Sequence, residues 1–300
     1  MKRALVLGGG GQLGTAIVHA LLDDGWHVRA LVRRPKPFTL LGLDVEVVVS
    51  DLDTSEYLDT WLNGCEVVVD CAVPYPLAPG RANLRSLDQR LEPLLAACET
   101  HGAIYAQLSS FATARAGAWV HPYFAVKQRA EERVRQAAER GLETLILRPT
   151  TCLGPWDNKP WRLALLPQLM LGLLPVPTRE VVDVVDVRDV AASLLVALKE
   201  KSWGHPQLLS GRRLRLTDLV TRATQLADLP APATVPSWLA TGVTSGLELS
   251  LRQHTPWPSL ALLLIRLQAS LDRSPPLVHP RPLDETLRST IESYRRRGFL

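Results

Sequence analysis

Residues 4–14 read ALVLGGGGQLG, so that Gly8, Gly11 and Gly14 follow a short apolar run and precede a segment with helical spacing. Glycine permits a tight turn, lets a ligand approach the backbone closely, and lets the helix pack against the strand. The N-terminus of that helix would present free N–H groups and the positive end of its dipole. This strand–loop–helix pattern predicts a site for the pyrophosphate of a dinucleotide, which Gln12 and Leu13 in the loop would also contact.

The first half of the chain alternates short apolar runs with segments of helical spacing. Runs that are apolar on both faces are typical of parallel strands covered by helices. Strands that alternate with helices indicate βαβ crossovers. We therefore predict an α/β fold with a doubly wound parallel sheet of the Rossmann type. The apolar runs are residues 4–7, 28–32, 45–49, 66–69, 104–108 and 144–147.

The second half of the chain has fewer strand-like runs, and prolines divide it into short helices and loops. An apolar run begins at Val181 and is followed by a helix, and we expect this strand to return to the main sheet. The prediction is a dinucleotide-binding domain of residues 1–152, with 181–198 returning to it. Residues 153–180 and 199–300 would form a smaller, mostly helical substrate-binding region.

Charge and cysteine content exclude several classes of protein. Lys and Arg number 34 against 30 Asp and Glu, which gives a net charge of +4. This charge is too small and too evenly spread to indicate a nucleic-acid partner. The four cysteines have no CxxC spacing, so we expect no metal site and no disulfide framework.

The N-terminal apolar run is interrupted at once by four consecutive glycines, which argues against a secretory leader. No apolar stretch approaches the ~18 residues that a membrane span needs. We therefore expect a cytoplasmic protein that has no membrane contact and acts on a small molecule.

The end of the second predicted strand indicates which dinucleotide binds. An acidic residue there would bind the ribose 2′-hydroxyl of NAD, but this chain has Arg33 and Arg34. Arginine suits a 2′-phosphate through charge-assisted hydrogen bonds. The sequence therefore favours NADP as cofactor, with NAD as the weaker alternative.

Four further residues follow predicted strands and are candidate cofactor contacts. Asp51 and Leu52 come after the third strand, where they would meet the adenine, although Asp51 could equally cap a helix. Cys71 and Ala72 come after the fourth strand. In an open α/β sheet, ligands bind beyond these carboxyl ends.

Tyr123 and Lys127 are four residues apart in a segment of helical composition, so they share one face. A free phenol has a pKa near ~10, and a neighbouring ammonium lowers that pKa toward the range useful in acid–base catalysis. Ser109 and Ser110 follow the fifth predicted strand. Either hydroxyl could orient a substrate oxygen beside the phenol.

The glycine loop, the strand-end serines and the Tyr–Lys pair occur in an order that resembles the extended branch of the short-chain dehydrogenase/reductase superfamily. The similarity is to its NAD(P)-dependent epimerase/dehydratase family and to the dihydroflavonol-reductase-like group. The segment from Arg148 through Pro149 and Thr150 to Gly154-Pro155 is similar to the RPxxxxGP segment of that branch, and residues 186–191 are similar to its HVDDVA segment.

The resemblance implies roles for these residues. Tyr123 would protonate a carbonyl oxygen while NADPH delivers hydride, and Lys127 would bind the nicotinamide ribose and lower the pKa of the tyrosine. Ser110 or Ser109 would hydrogen-bond the reacting oxygen. A further segment would lie beside the nicotinamide, namely Arg148, Pro149 and Thr150. Family members often pair through the helix with the Tyr–Lys motif, so the resemblance allows a homodimer.

Together these features predict an NADP-dependent oxidoreductase that reduces a carbonyl, or oxidises an alcohol, of a small hydrophobic substrate. One alternative is a nucleotide-sugar epimerase or dehydratase with tightly bound NAD, which Arg33 disfavours. Another is a non-catalytic dinucleotide-binding sensor, which the Tyr–Lys pair disfavours. Apolar residues on the substrate side would either line a pocket or form core or a dimer face: Trp156, Trp161, Leu163, Leu165, Leu166, Leu169 and Met170.

Overall fold

A computed structural model describes most of the chain and divides it into two compact units. The first unit comprises Met1–Pro149 and Arg188–Leu209, and the second comprises Thr150–Val187 and Ser210–Leu300. The described residues are 2–35, 38–50, 55–72, 81–114, 122–159, 161, 164–240, 242, 265–266, 268 and 275–300. At 55, 81–86, 114 and 122–124 the description covers the backbone alone.

The elements are numbered in chain order. The strands are β1 (Arg3–Leu7), β2 (His27–Val32), β3 (Glu46–Val49), β4 (Val67–Asp70), β5 (Ile104–Leu108), β6 (Thr144–Pro149), β7 (Thr151–Leu153), β8 (Val176–Pro177), β9 (Val181–Asp186), β10 (Gln207–Leu209), β11 (Arg212–Arg215) and β12 (Thr234–Val235). The helices are α1 (Gln12–Asp23), α2 (Leu58–Leu62), α3 (Arg81–His101), α4 (Pro122–Glu139), α5 (Leu165–Met170), α6 (Val187–Lys199), α7 (Leu216–Ala227) and α8 (Leu283–Arg296).

Seven strands form the sheet of the first unit, in the order β10-β6-β5-β4-β1-β2-β3. Every neighbouring pair is parallel. The chain runs from β1 outward to β3, then crosses to β4 on the other side of β1 and continues outward to β6. The order therefore reverses between β1 and β4, which is the topological switch point where open α/β sheets bind ligands. This arrangement confirms the predicted doubly wound parallel sheet.

Apolar strands and the apolar faces of helices form the core of the first unit. On one face of the sheet, Leu5, Val68 and Tyr105 pack with the α3 residues Leu91 and Leu94 in a single buried cluster. The helix α4 adds buried apolar residues to that cluster at 126, 130, 134 and 137. The recurrence of these α4 positions every three or four residues is the spacing of one helix face. It explains how the sequence places α4 against the sheet.

The second unit has its own sheets and core. A three-stranded sheet has the order β11-β9-β7, and β12 pairs with β8. Helices α5, α7 and α8 pack side chains into a separate buried cluster that includes Leu169, Leu219 and Ile291. The apolar stripe of α8 ends this unit with the buried Tyr294. Within the described residues, no helix combines the length and the apolar character that crossing a membrane requires.

The expectation that the strand beginning at Val181 returns to the main sheet is wrong. It forms β9, which pairs in parallel with β7 and antiparallel with β11 in the second unit. The place beside β6 is taken by β10 instead. Two polar contacts hold β9 where it is, because the buried Asp183 carboxylate accepts hydrogen bonds from the Thr150 hydroxyl (3.2 Å) and the Gly211 N–H (2.9 Å). An apolar run predicts a buried strand but does not identify its neighbours.

The apolar residues that could have lined a substrate pocket belong mainly to the core of the second unit. Leu166, Leu169 and Met170 are buried there, and Leu165 packs against them. Trp161 meets Phe299 edge to face, with 5.0 Å between ring centroids. Leu163 lies outside the described residues. The sequence allowed these residues to line a substrate pocket or to form core or a dimer face, and a role in the core accounts for these contacts.

Candidate cofactor and catalytic site

The glycine loop turns sharply between β1 and α1. The N–H groups of Gly8 and Gly9 both donate to the Leu31 carbonyl of β2, at 2.9 and 3.2 Å. The Gly11 N–H then donates to the Gly8 carbonyl at 2.9 Å. Gly8 has φ +73°, a left-handed conformation that glycine adopts without strain. These bonds draw the loop against the carboxyl end of β2.

The loop passes so close to the start of α1 that side chains are excluded. A Cβ at Gly14 would lie 2.2 Å from the Gly8 carbonyl oxygen, and a Cβ at Gly9 would lie 2.8 Å from the Ala30 Cβ. Gly11 is the N-cap of α1, and no side chain caps it. The first turn therefore offers backbone N–H groups and a helix dipole to an anion beside a loop of glycines. The residues present fit the pyrophosphate of a dinucleotide.

The switch point brings two more candidates to this loop. The Cys71 N–H donates to the Leu7 carbonyl at 3.0 Å. A Cβ on Gly8 would lie 3.2 Å from the Ala72 Cα. The ends of β1 and β4 are therefore in contact through Gly8, Cys71 and Ala72, at the edge where Gln12 and Leu13 begin α1.

The residues predicted to bind the adenosine end are described in part. Arg33 and Arg34 are exposed and directly follow β2. Strand β2 is the neighbour of β1, which leads into the glycine loop. Asp51 and Leu52 lie outside the described residues.

The Tyr–Lys pair lies in the first two turns of α4. Both Tyr123 and Lys127 are helical, and the side chain of Tyr123 lies outside the described atoms. Lys127 is 6% exposed, and its Nζ donates to the Leu108 carbonyl at the end of β5 over 2.9 Å. Burial lowers the pKa of Lys127 to about 8, while the Asp70 carboxylate opposes this shift and the Arg90 guanidinium adds to it. The ammonium is thus anchored at the carboxyl edge of the sheet.

The two candidate serines have different surroundings. The Ser109 hydroxyl donates to Glu131 Oε1. The Ser110 oxygen accepts a bond from the Ala112 N–H at 3.3 Å. Arg148, at the end of β6, donates to the same Glu131 through its Nε at 3.0 Å and also through Nη2.

Glu131, which is 1% exposed, is not among the site residues predicted from the sequence. It lies four residues after Lys127, so the two side chains share one face of α4. That spacing was the available signal, because a carboxylate on the buried face of a helix needs partners.

Asp70 is a second residue of this edge that is not among the predicted site residues. It ends the apolar strand β4, and its carboxylate accepts hydrogen bonds from the Tyr105 hydroxyl (2.8 Å), Arg90 Nη1 (3.1 Å) and the Ala72 N–H (2.9 Å). The last bond fixes the backbone that passes Gly8. The acidic end of the run VVVD was the signal in the sequence.

The last predicted segment divides between the units. Arg148 and the buried Pro149 end β6 in the first unit. Thr150 is buried in the second unit, where its hydroxyl donates to Asp183. The first unit therefore brings together the glycine loop, Cys71, Ala72, Ser109, Ser110, Lys127 and Arg148 along the carboxyl edge of one sheet.

The Gly14→Ala substitution tests the close approach of the loop. The added Cβ cannot stay 2.2 Å from the Gly8 oxygen, so the loop must shift, and we expect NADPH affinity to fall by a factor of about ten or more. Tryptophan fluorescence titration measures the affinity. Gly242→Ala is the control, because nothing lies within 4 Å of a Cβ at that position. Equal NADPH affinity for Gly14→Ala and the wild type would contradict a role of this loop in binding.

The lowered pKa of Lys127 predicts a pH dependence of stability. Unfolded lysine keeps its proton up to about pH 10.5, whereas folded Lys127 loses it above about pH 8. In that window the unfolded state binds more protons, so the free energy of unfolding should rise with pH, by about 3 kcal/mol in all from this group. Lys127→Met should lack the rise. Urea unfolding of both proteins from pH 7 to 10.5 provides the comparison, and parallel curves would exclude the effect.

Comparison with known proteins agrees with this geometry. Residues 8–168 match a family model described as NAD(P)H-binding. The chain is 28% identical over 264 residues to a putative dihydroflavonol 4-reductase from Synechocystis sp., covering 78% of this chain and 75% of that protein. It is 31% identical over 210 residues to a ceramide reductase from Caulobacter vibrioides, covering 69% of this chain and 64% of that protein.

A solved structure shows the same fold. The structure is of a nucleoside-diphosphate-sugar epimerase from Pseudomonas aeruginosa, and it matches with a TM-score of 0.73 at 21% identity, covering 100% of this chain and 99% of that one. The resemblance found in the sequence is thereby confirmed. The chain belongs to the NAD(P)H-binding family and, with it, to the extended short-chain dehydrogenase/reductase superfamily.

Proposed function

We propose that this protein is an NADP-dependent oxidoreductase that reduces a carbonyl group, or oxidises the corresponding alcohol, in a small hydrophobic substrate. The observation that carries the proposal is the placement of Lys127. Its buried ammonium lies at the carboxyl end of β5, on the same helix as Tyr123. A cation in this position lies at the ligand-binding edge of the sheet, where it could lower the pKa of the tyrosine and bind the cofactor.

Bound NADPH would supply hydride to the carbonyl carbon. Tyr123 would donate its phenolic proton to the carbonyl oxygen in reduction, and its phenolate would take the proton back in alcohol oxidation. The Lys127 ammonium would stabilise the phenolate and bind ribose hydroxyls. With a pKa of about 8, Lys127 is mainly cationic at neutral pH. The backbone N–H groups that begin α1 would hold the pyrophosphate.

The hydrophobic substrate is supported by the named relatives. The two similar reductases take their names from a dihydroflavonol, which is aromatic, and from a ceramide, which is a lipid. We assign substrate binding to the second unit and the cofactor to the first.

A second candidate is a nucleotide-sugar epimerase or dehydratase with tightly held NAD. The full-length match to a nucleoside-diphosphate-sugar epimerase favours it. Purification decides between the two, because an epimerase of this kind would retain NAD, whereas the proposed reductase would bind NADPH reversibly.

Arg33→Ala tests the choice of cofactor. Arg33 is exposed directly after β2, and a charge-assisted bond to the 2′-phosphate is absent with NADH. We expect NADPH affinity to fall about tenfold, which corresponds to about 1.4 kcal/mol, while NADH affinity stays constant. Arg135→Ala is the control, because Arg135 is an exposed residue of α4 that pairs with Glu132. An equal loss for both cofactors would remove the argument for NADP.

Tyr123→Phe tests the chemistry. Loss of the phenolic proton should lower kcat by about a hundredfold or more, and NADPH affinity should not change. Tyr57→Phe is the matched control, since Tyr57 is 53% exposed and lies outside the proposed site. Unchanged cellular activity of Tyr123→Phe would instead indicate a non-catalytic dinucleotide-binding protein.

A further inference from the structure

The buried carboxylate of Glu131 gathers side chains from three other segments. Its Oε1 accepts hydrogen bonds from Ser109 Oγ, Thr113 Oγ1 (2.7 Å) and Arg148 Nε (3.0 Å), and its Oε2 accepts from Arg148 Nη2. Ser109 follows β5, Thr113 lies in the helical turn Phe111–Ala114, and Arg148 lies in β6. One side chain of α4 therefore ties together the strand ends around Lys127.

Glu131 acts in this cluster as an ionised acceptor. Burial raises the pKa of Glu131, but hydrogen bonds from Arg148, Ser109 and Thr113 together lower it by more than burial raises it. The pKa of Glu131 therefore lies below its ordinary value. An ionised carboxylate can only accept hydrogen bonds. The Ser109 hydroxyl is therefore the donor in its hydrogen bond with Glu131.

The two serines therefore differ in whether their hydroxyl can donate a hydrogen bond to a substrate. A hydroxyl has one proton to donate, and a substrate carbonyl oxygen needs a donor. The Ser109 hydroxyl donates its one hydrogen bond to Glu131. Ser110 uses a lone pair to accept from the Ala112 N–H, and none of the residues described here accepts the Ser110 proton.

The guanidinium of Arg148 is also engaged. Its Nε and Nη2 form a two-pronged pair with Glu131, whose side chain is 2% exposed. Such a pair fixes orientation as well as distance. Arg148 thus holds the end of β6 against α4.

We propose that Glu131 is a positioning residue that binds Ser109, Thr113 and Arg148 to α4, and that Ser110 is the hydroxyl that donates to the substrate oxygen. This inference rests on the proposed function and states which of the two serines serves it. The substrate oxygen would receive one hydrogen bond from Ser110 and the proton from Tyr123.

The test compares Ser109→Ala, Ser110→Ala and Glu131→Gln, with the two double variants that combine Glu131→Gln with each serine change. Reduction of benzaldehyde and of cyclohexanone by NADPH gives kcat and KM, and thermal unfolding gives Tm. Ser110→Ala should lower kcat about a hundredfold, as loss of a preorganised donor does, with wild-type NADPH affinity and a smaller fall in Tm than Ser109→Ala. Ser109→Ala should lower Tm and reduce kcat less than tenfold.

The double variants identify the positioning role. Because Ser109 acts through Glu131, its removal should add little to the loss in kcat and Tm that Glu131→Gln causes. Ser110→Ala and Glu131→Gln should multiply in kcat. Glu132→Gln, an exposed neighbour on α4, should behave as the wild type. If Glu131→Gln or Ser110→Ala fails to fold, Glu131→Asp and Ser110→Cys take their places.

Three results would overturn the inference. Independent losses from Ser109→Ala and Glu131→Gln would remove the positioning role. A larger loss of kcat in Ser109→Ala than in Ser110→Ala would reverse the assignment of the serines. Wild-type protein that reduces neither carbonyl would contradict the proposed function and, with it, the role of Ser110. In that case the Tm values of the Ser109 and Glu131 variants still decide whether Glu131 holds the strand ends together.

Discussion

Strand β1 pairs in parallel with β2 on one side and with β4 on the other, and this pairing places the glycine loop beside the ends of both neighbouring strands. It brings the Leu31 carbonyl to the loop N–H groups and the backbone of Ala72 to Gly8. A side chain in the loop would keep these backbones apart. The absence of Cβ atoms therefore determines both the packing of α1 and the shape of the glycine loop.

The edge formed in this way carries several buried charges. Asp70 pairs with Arg90, Glu131 pairs with Arg148, and Lys127 lies on the same helix as Glu131. Burial of charge is costly, and removal of one partner from a buried pair costs about 3–5 kcal/mol. The helices and strands that carry these groups are consequently held in one arrangement. Desolvation also lowers the pKa of Lys127 toward neutrality. Burial of this ammonium therefore costs folding free energy at neutral pH, at the position where the proposed chemistry uses a cation.

Much of the first unit could be predicted from local pattern. The apolar runs of β1, β2 and β4 are recognisable because both faces of these strands are covered. The glycine loop is recognisable because few other sequences allow that turn. Which strands would pair with each other was harder to predict from the sequence. The apolar run of β9 was expected in the main sheet, but its place depends on Asp183 meeting Thr150 and Gly211, which lie 33 and 28 residues away.

The sequence by itself determined the doubly wound sheet, the glycine loop and the spacing of Tyr123 and Lys127, because each depends on residues that are close in the chain. Only the tertiary structure decided that Ser109 faces Glu131, that Arg148 pairs with the same carboxylate, and that Asp70 supports the backbone beside Gly8. The two Glu131 contacts join residues 22 and 17 positions apart. The hydrogen bond from Ala72 to Asp70 is local, but its approach to Gly8 depends on the pairing of β1 with β4. The relative placement of these strands and helices follows from burying their apolar faces together, a property of the whole core that no short segment contains.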